Sequence, residues 1–92
     1  MIKYYLYIGS DNTTHKLEKE KAIELVGRHF EGFTAYEVIG FWQGSQEKTL
    51  KVEIVADQDQ DTVIAKLAKE LKQALNQDAI MMEKINSNTL FI

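Results

Sequence analysis

Two histidines, His15 and His29, are the only imidazoles in the chain, and cysteine is absent. Thiolate chemistry and a disulfide framework are therefore excluded, and a transition-metal site is short of its usual ligands. His15 follows Ser10, Asp11 and Thr14 in a segment dense in polar residues. That grouping offers the parts of a polar site, but a solvated loop with capping hydroxyls uses the same residues and is the favoured reading. His29 falls in the last turn of an expected helix, where a cation suits the dipole. A catalytic histidine wants a nucleophile or an orienting carboxylate close by, and for both histidines the structural role is the favoured reading. The run Asp57-Gln-Asp-Gln-Asp61 looks like the head of a calcium loop. Such a loop needs glycine at its sixth position and glutamate at its twelfth. Those positions hold Thr62 and Ala68, so the aspartates are read as the acidic start of a helix. No zinc-protease, nucleophile-elbow or phosphate-loop motif occurs. The expectation is no catalytic residue, no metal and no cofactor.

The remaining candidates are aromatic: Tyr5, Tyr7, Tyr36 and Trp42, with His15 as a polar neighbour. What they do depends on the elements that carry them. Residues 2–8 alternate, with Ile2, Tyr4, Leu6 and Ile8 on one face and Lys3, Tyr5 and Tyr7 on the other, the pattern of a half-buried strand. A turn follows over 9–14, then a helix over 17–30 with Ala22, Ile23, Leu25, Val26 and Phe30 on its apolar side. Gly32 is placed to close that helix as a left-handed cap. Residues 33–42 form a second strand with Tyr36, Val38, Gly40 and Trp42 in one phase, unless a bulge at Gly40 swaps it. Residues 43–47 read as a hairpin loop and 49–56 as the third strand. The clearest helix spans 60–76, with Val63, Ile64, Leu67, Leu71, Ala74 and Leu75 in its stripe and Asn76 as its C-terminal cap. A fourth strand covers 79–83, and the β pattern resumes over 89–92 after Asn86-Ser-Asn88.

The order β-α-β-β-α-β predicts one α+β domain over residues 1–92. The expected architecture is a ferredoxin-like sandwich, an antiparallel sheet with two helices on one face. Nothing in the pattern covers the other face, where Tyr5, Tyr7, Tyr36 and Trp42 would lie. Composition agrees with a globular domain: 45% hydrophobic and 27% charged residues argue against disorder. The net charge of -3 disfavours nonspecific binding to nucleic acid or to an anionic membrane. The apolar start is too short to span a membrane and alternates too regularly for a signal segment. With no cysteine, a cytoplasmic location is expected.

The segments Leu6-Tyr7-Ile8-Gly9 and Tyr36-Glu-Val-Ile-Gly-Phe-Trp42 resemble a family of small bacterial and phage-type ferredoxin-like proteins that carries only a domain-of-unknown-function label. In that family an aromatic-glycine end to the first strand and a Gly-x-Trp after the second recur; here they are Tyr7, Gly9, Gly40 and Trp42. The resemblance spans nearly the whole chain, supports the fold and implies no activity.

Three uses of the open face follow. The leading one is noncatalytic: a homodimer, or a protein partner, held through the sheet. The second is a small-ligand or enzymatic dimeric α+β barrel with His15, Tyr7, Tyr36 and Trp42 as its groups. Stacking of single-stranded RNA comes last, because Lys51, Glu53 and Val55 stand where stacking aromatics belong. Apart from the sheet face, an inhibitor encoded by a mobile element, acting through acidic surface, is a further alternative.

Overall fold

The structure is a computed structural model that describes residues 1–92. Strand β1 (Ile2–Ile8) is followed by helix α1 (Lys19–Gly27), strands β2 (Thr34–Trp42) and β3 (Ser45–Ala56), helix α2 (Asp61–Ala74) and strand β4 (Met81–Asn86). The sheet order is β2-β3-β1-β4, and every neighbouring pair is antiparallel. This is the expected ferredoxin-like sandwich.

Alternation sorts β1 as the sequence implies. Tyr4, Leu6 and Ile8 are fully enclosed and share one core with Leu50, Val52 and Ile54 of β3. Ala22, Leu25 and Val26 of α1 and Ile64, Leu67 and Leu71 of α2 close that core from the same side. Burying these side chains supplies the main driving force for folding, about 1.5–3 kcal/mol for each large one. Tyr4 adds a polar contact. Its hydroxyl donates to Asp61 Oδ1 at 2.7 Å and accepts the Gln60 N–H at 2.9 Å, so it tethers the start of α2 to the middle of the sheet.

Four local expectations are corrected. Helix α1 is nine residues long and ends at Gly27, so Gly32 caps nothing and has no left-handed backbone. Ile23, assigned to the apolar side, is 37% exposed, because the short helix turns only Ala22, Leu25 and Val26 inward. The hairpin loop has two residues instead of five: Gln43 and Gly44 both have positive φ, at 50° and 80°, and β3 begins at Ser45. That geometry is a type I′ turn, and a Gln-Gly pair is a weaker signal for it than Asn-Gly. Residues 89–92 form no strand; Thr89-Leu-Phe-Ile92 pairs with neither edge of the sheet. Asn76 does adopt the left-handed conformation, with φ 52°, just beyond α2.

Candidate functional site

The register sets the open face. Tyr7 and Tyr36 both pair with Lys51, Tyr5 pairs with Glu53 and Glu83, and Gly40 pairs with Glu47. Cross-strand partners share a face, so Tyr5, Tyr7, Tyr36 and Trp42 all lie on the side away from the helices. No bulge interrupts the pairing of β2 with β3 at Gly40, and Trp42 stays in phase.

Three of the four aromatics surround one cation. Lys51 Nζ lies 4.4 Å from the centre of the Tyr5 ring, 5.3 Å from that of Tyr7 and 5.8 Å from that of Tyr36. Such contacts are worth about 0.5–1 kcal/mol at exposed sites. The tyrosine hydroxyls are also engaged: Tyr7 donates to Glu83 at 2.6 Å and Tyr36 to Glu53 at 2.8 Å. The Glu83 bond, reinforced by partial burial, raises the Tyr7 hydroxyl above the usual tyrosine range. Burial acts to lower the Lys51 ammonium, but the adjoining Tyr36 and Tyr7 hydroxyls outweigh it and hold the group above its ordinary value. The face is thus a bonded polar-aromatic network, with Tyr36 at its margin 39% exposed.

Trp42 stands apart from this cluster, near the tip of an arm. Strand β1 pairs only with residues 50–56 of β3, so residues 45–49 and their β2 partners run beyond the sheet as a two-stranded projection. Ile39 and Phe41, on the helix side of this arm, have no helix beneath them and are 68% and 71% exposed. On the open side, where the arm leaves the sheet, a groove of about 380 Å³ is lined by Tyr7, Gly40, Trp42, Glu47, Thr49 and Met81. Two glycines make this packing possible. A Cβ at Gly40 would collide with Thr49 Oγ1, and one at Gly9 with the Glu47 carboxylate.

His15 lies outside the aromatic set. It is an exposed loop residue with φ 61°, and its backbone N–H donates to the Asp11 carbonyl. Its ring borders a second hollow, of about 930 Å³, that Trp42 and Glu47 also line. The loop is held by Asp11, whose carboxylate accepts the Thr14 and Thr13 N–H groups and the Asn76 amide; these bonds keep it below the usual aspartate range. His29 follows the end of α1 and pairs with Glu70 of α2 at 2.8 Å, a link between helices. The aspartates before α2 hold no ion-binding cage: Asp59 and Asp61 pair with Lys84, and no group of three or more metal-ligating side chains converges.

Sequence reasoning missed Lys51, Glu47 and Thr49 as members of the site. Lys51 reads as an ordinary outward lysine, and the register needed to seat it between tyrosines is a cross-strand property. Glu47 was hidden by its assignment to the hairpin loop.

No helix is long and apolar enough to cross a membrane. No family model matches the chain. No curated protein matches it either. Solved structures do share its shape. A DUF3240 family protein from Shewanella baltica superposes with a TM-score of 0.68 at 11% identity, over 99% of this chain and 94% of that one. A phage SAM lyase in its apo state gives 0.61 at 18% identity, over 91% and 78%. CutA1 from Pyrococcus horikoshii gives 0.51 at 14% identity, over 99% and 87%. At these identities the likeness establishes the fold alone.

Proposed function

We propose that this chain is a noncatalytic cytoplasmic binding domain that associates through the open face of its sheet, with a second copy of itself as the first partner and another protein as the alternative. One observation carries the reading: Tyr36, Trp42, Met81 and Ile85 are 39%, 46%, 55% and 43% exposed on a single sheet face that no helix covers. Exposed apolar side chains along both edges of one uncovered sheet face support an interface reading. The arm extends it, because Ile39 and Phe41 offer a second apolar strip on the reverse side. Light scattering after gel filtration at high micromolar concentration tests the reading. The expected mass is twice that of one chain, falling toward one in Tyr7→Ala and Trp42→Ala. A monomer throughout, indifferent to both substitutions, removes self-association and leaves only the protein-partner alternative.

The groove between Tyr7 and Trp42 favours a second reading, a small-ligand site of the dimeric α+β-barrel kind. Its volume is within the range of small-molecule pockets, and its lining mixes aromatic rings with a few polar groups. The phage SAM lyase makes SAM the first compound to try on this chain. Thermal-shift measurement with and without SAM, followed by product analysis, separates binding from turnover. A melting curve unmoved at millimolar SAM counts against this ligand.

A further inference from the structure

We infer that the groove at the base of the hairpin arm is a site for a small organic cation, with Glu47 as its counter-charge, Trp42 and Tyr7 as its walls and Thr49 as a hydrogen-bonding group. The inference rests on the small-ligand reading of this groove and does not require self-association.

Glu47 extends from β3 on the open face, opposite Gly40. Its carboxylate lies against Gly9, and one oxygen accepts the Ser10 N–H at 3.2 Å. The other has no hydrogen bond. None of the five ion pairs in the structure includes Glu47, or Asp78 at the groove's other rim. Lys51, the next open-face lysine along β3, is held among the tyrosine rings, 5.3 Å from the centre of Tyr7, so Trp42 is the wall with no resident cation and Tyr7 serves as an apolar wall.

Thr49 points to a ligand independently. It is only 6% exposed, and its side chain has no hydrogen-bond partner within the chain. No fully buried side-chain polar atom in the structure lacks a partner, so this hydroxyl opens into the groove it lines. A ligand polar group entering the groove would meet this hydroxyl in place of solvent. A half-buried carboxylate that is in no ion pair and lines the same groove as Trp42 suits a cation that has an apolar body, because Coulomb attraction and the ring quadrupole act together. A neutral ligand would desolvate the carboxylate and leave it only the Ser10 N–H bond.

Trp42 is the chain's only tryptophan and reports on the site directly. The test titrates Trp42 fluorescence with choline and with its uncharged isostere 3,3-dimethylbutan-1-ol, and repeats both with benzyltrimethylammonium as a bulkier cation. Choline or benzyltrimethylammonium should bind at least ~10-fold tighter than the neutral alcohol, and Glu47→Gln should abolish that preference. The Gln variant retains an acceptor for the Ser10 N–H, and circular dichroism checks its fold. Thr49→Val supplies a second variant, expected to weaken binding of the hydroxyl-bearing choline more than that of benzyltrimethylammonium. Equal binding of cation and alcohol, unchanged in Glu47→Gln, overturns the cation assignment and leaves the small-ligand reading standing. No response to any of the three compounds overturns the cation assignment, and the SAM measurement then decides the small-ligand reading by itself.

Discussion

Replacing Tyr4 by phenylalanine removes one oxygen atom and tests how the sheet is joined to α2. The ring remains fully enclosed, so packing is conserved and no cavity opens. Two hydrogen bonds disappear. The Gln60 N–H, at the N-terminus of α2, loses the only acceptor that the side chains offer it, because the N-cap residue makes no side-chain bond of its own. Losing such a cap costs about 1 kcal/mol. The bond donated to Asp61 is worth about another 1 kcal/mol. Together they predict a loss of about 2 kcal/mol, which for a domain of this size lowers the melting temperature by roughly 8–15 °C. Tyr5→Phe is the control. The Tyr5 hydroxyl makes no hydrogen bond in the chain, so its removal should stay within about 0.5 kcal/mol. The pH profile adds a second readout. The Tyr4 hydroxyl, with Lys84 assisting, lowers the Asp61 carboxyl below its ordinary value. A depressed carboxyl contributes stability that is present above the unfolded value and lost as the pH falls through the folded one. Tyr4→Phe should therefore make the acid limb of the stability profile shallower. Urea unfolding of the three proteins between pH 2.5 and 7 measures both effects. If Tyr4→Phe melts with the wild type and keeps its acid limb, the tether contributes nothing and this account of the β1–α2 junction is wrong.

Four shorter predictions follow from other particulars. Gly27 lies in α1 with no atom near the position of a Cβ and no left-handed backbone, so Gly27→Ala should stabilise by about 0.4–1 kcal/mol in a denaturant titration. Gly40→Val drives a branched side chain into Thr49; a loss of about 1–3 kcal/mol is expected, with a change in Trp42 emission as the arm shifts. His29 lowers the Glu70 carboxyl, a stabilisation present above the unfolded glutamate value and lost in acid, so His29→Ala should flatten the stability profile below pH 5. Removing residues 90–92, which are 81%, 77% and 117% exposed, should change chemical stability by less than about 0.5 kcal/mol, whereas a larger loss would place them in a real packing contact.

The elements were largely legible in the residue pattern because alternation and helical spacing are local properties. Ile2 through Ile8 declares a half-buried strand, the stripe from Val63 to Leu75 declares a helix, and their order leaves little choice of sheet topology. The boundaries that failed are those where a weak local signal meets a tertiary constraint. Gln43-Gly44 turns the chain in two residues because the strands on either side pair to the end. The β pattern of Thr89 to Ile92 forms no strand, because alternation alone supplies no pairing partner and these residues join neither edge of the sheet.

The candidate site divides in the same way. That Tyr5 and Tyr7 share a face, and that Tyr36 and Trp42 share one, follows from period two within each strand. That the two pairs lie on the same face, with Lys51 between Tyr7 and Tyr36, is a matter of register between strands distant in sequence. The same holds for Glu47 over Gly9 and Thr49 over Gly40. Local periodicity tells each strand which side is apolar, and that was enough to foresee an aromatic face with no helix upon it. Only the hydrogen-bonded ladder decides which side chains from different strands meet, and so only the tertiary structure turned that face into a lysine ringed by tyrosines and a groove with an unpaired carboxylate.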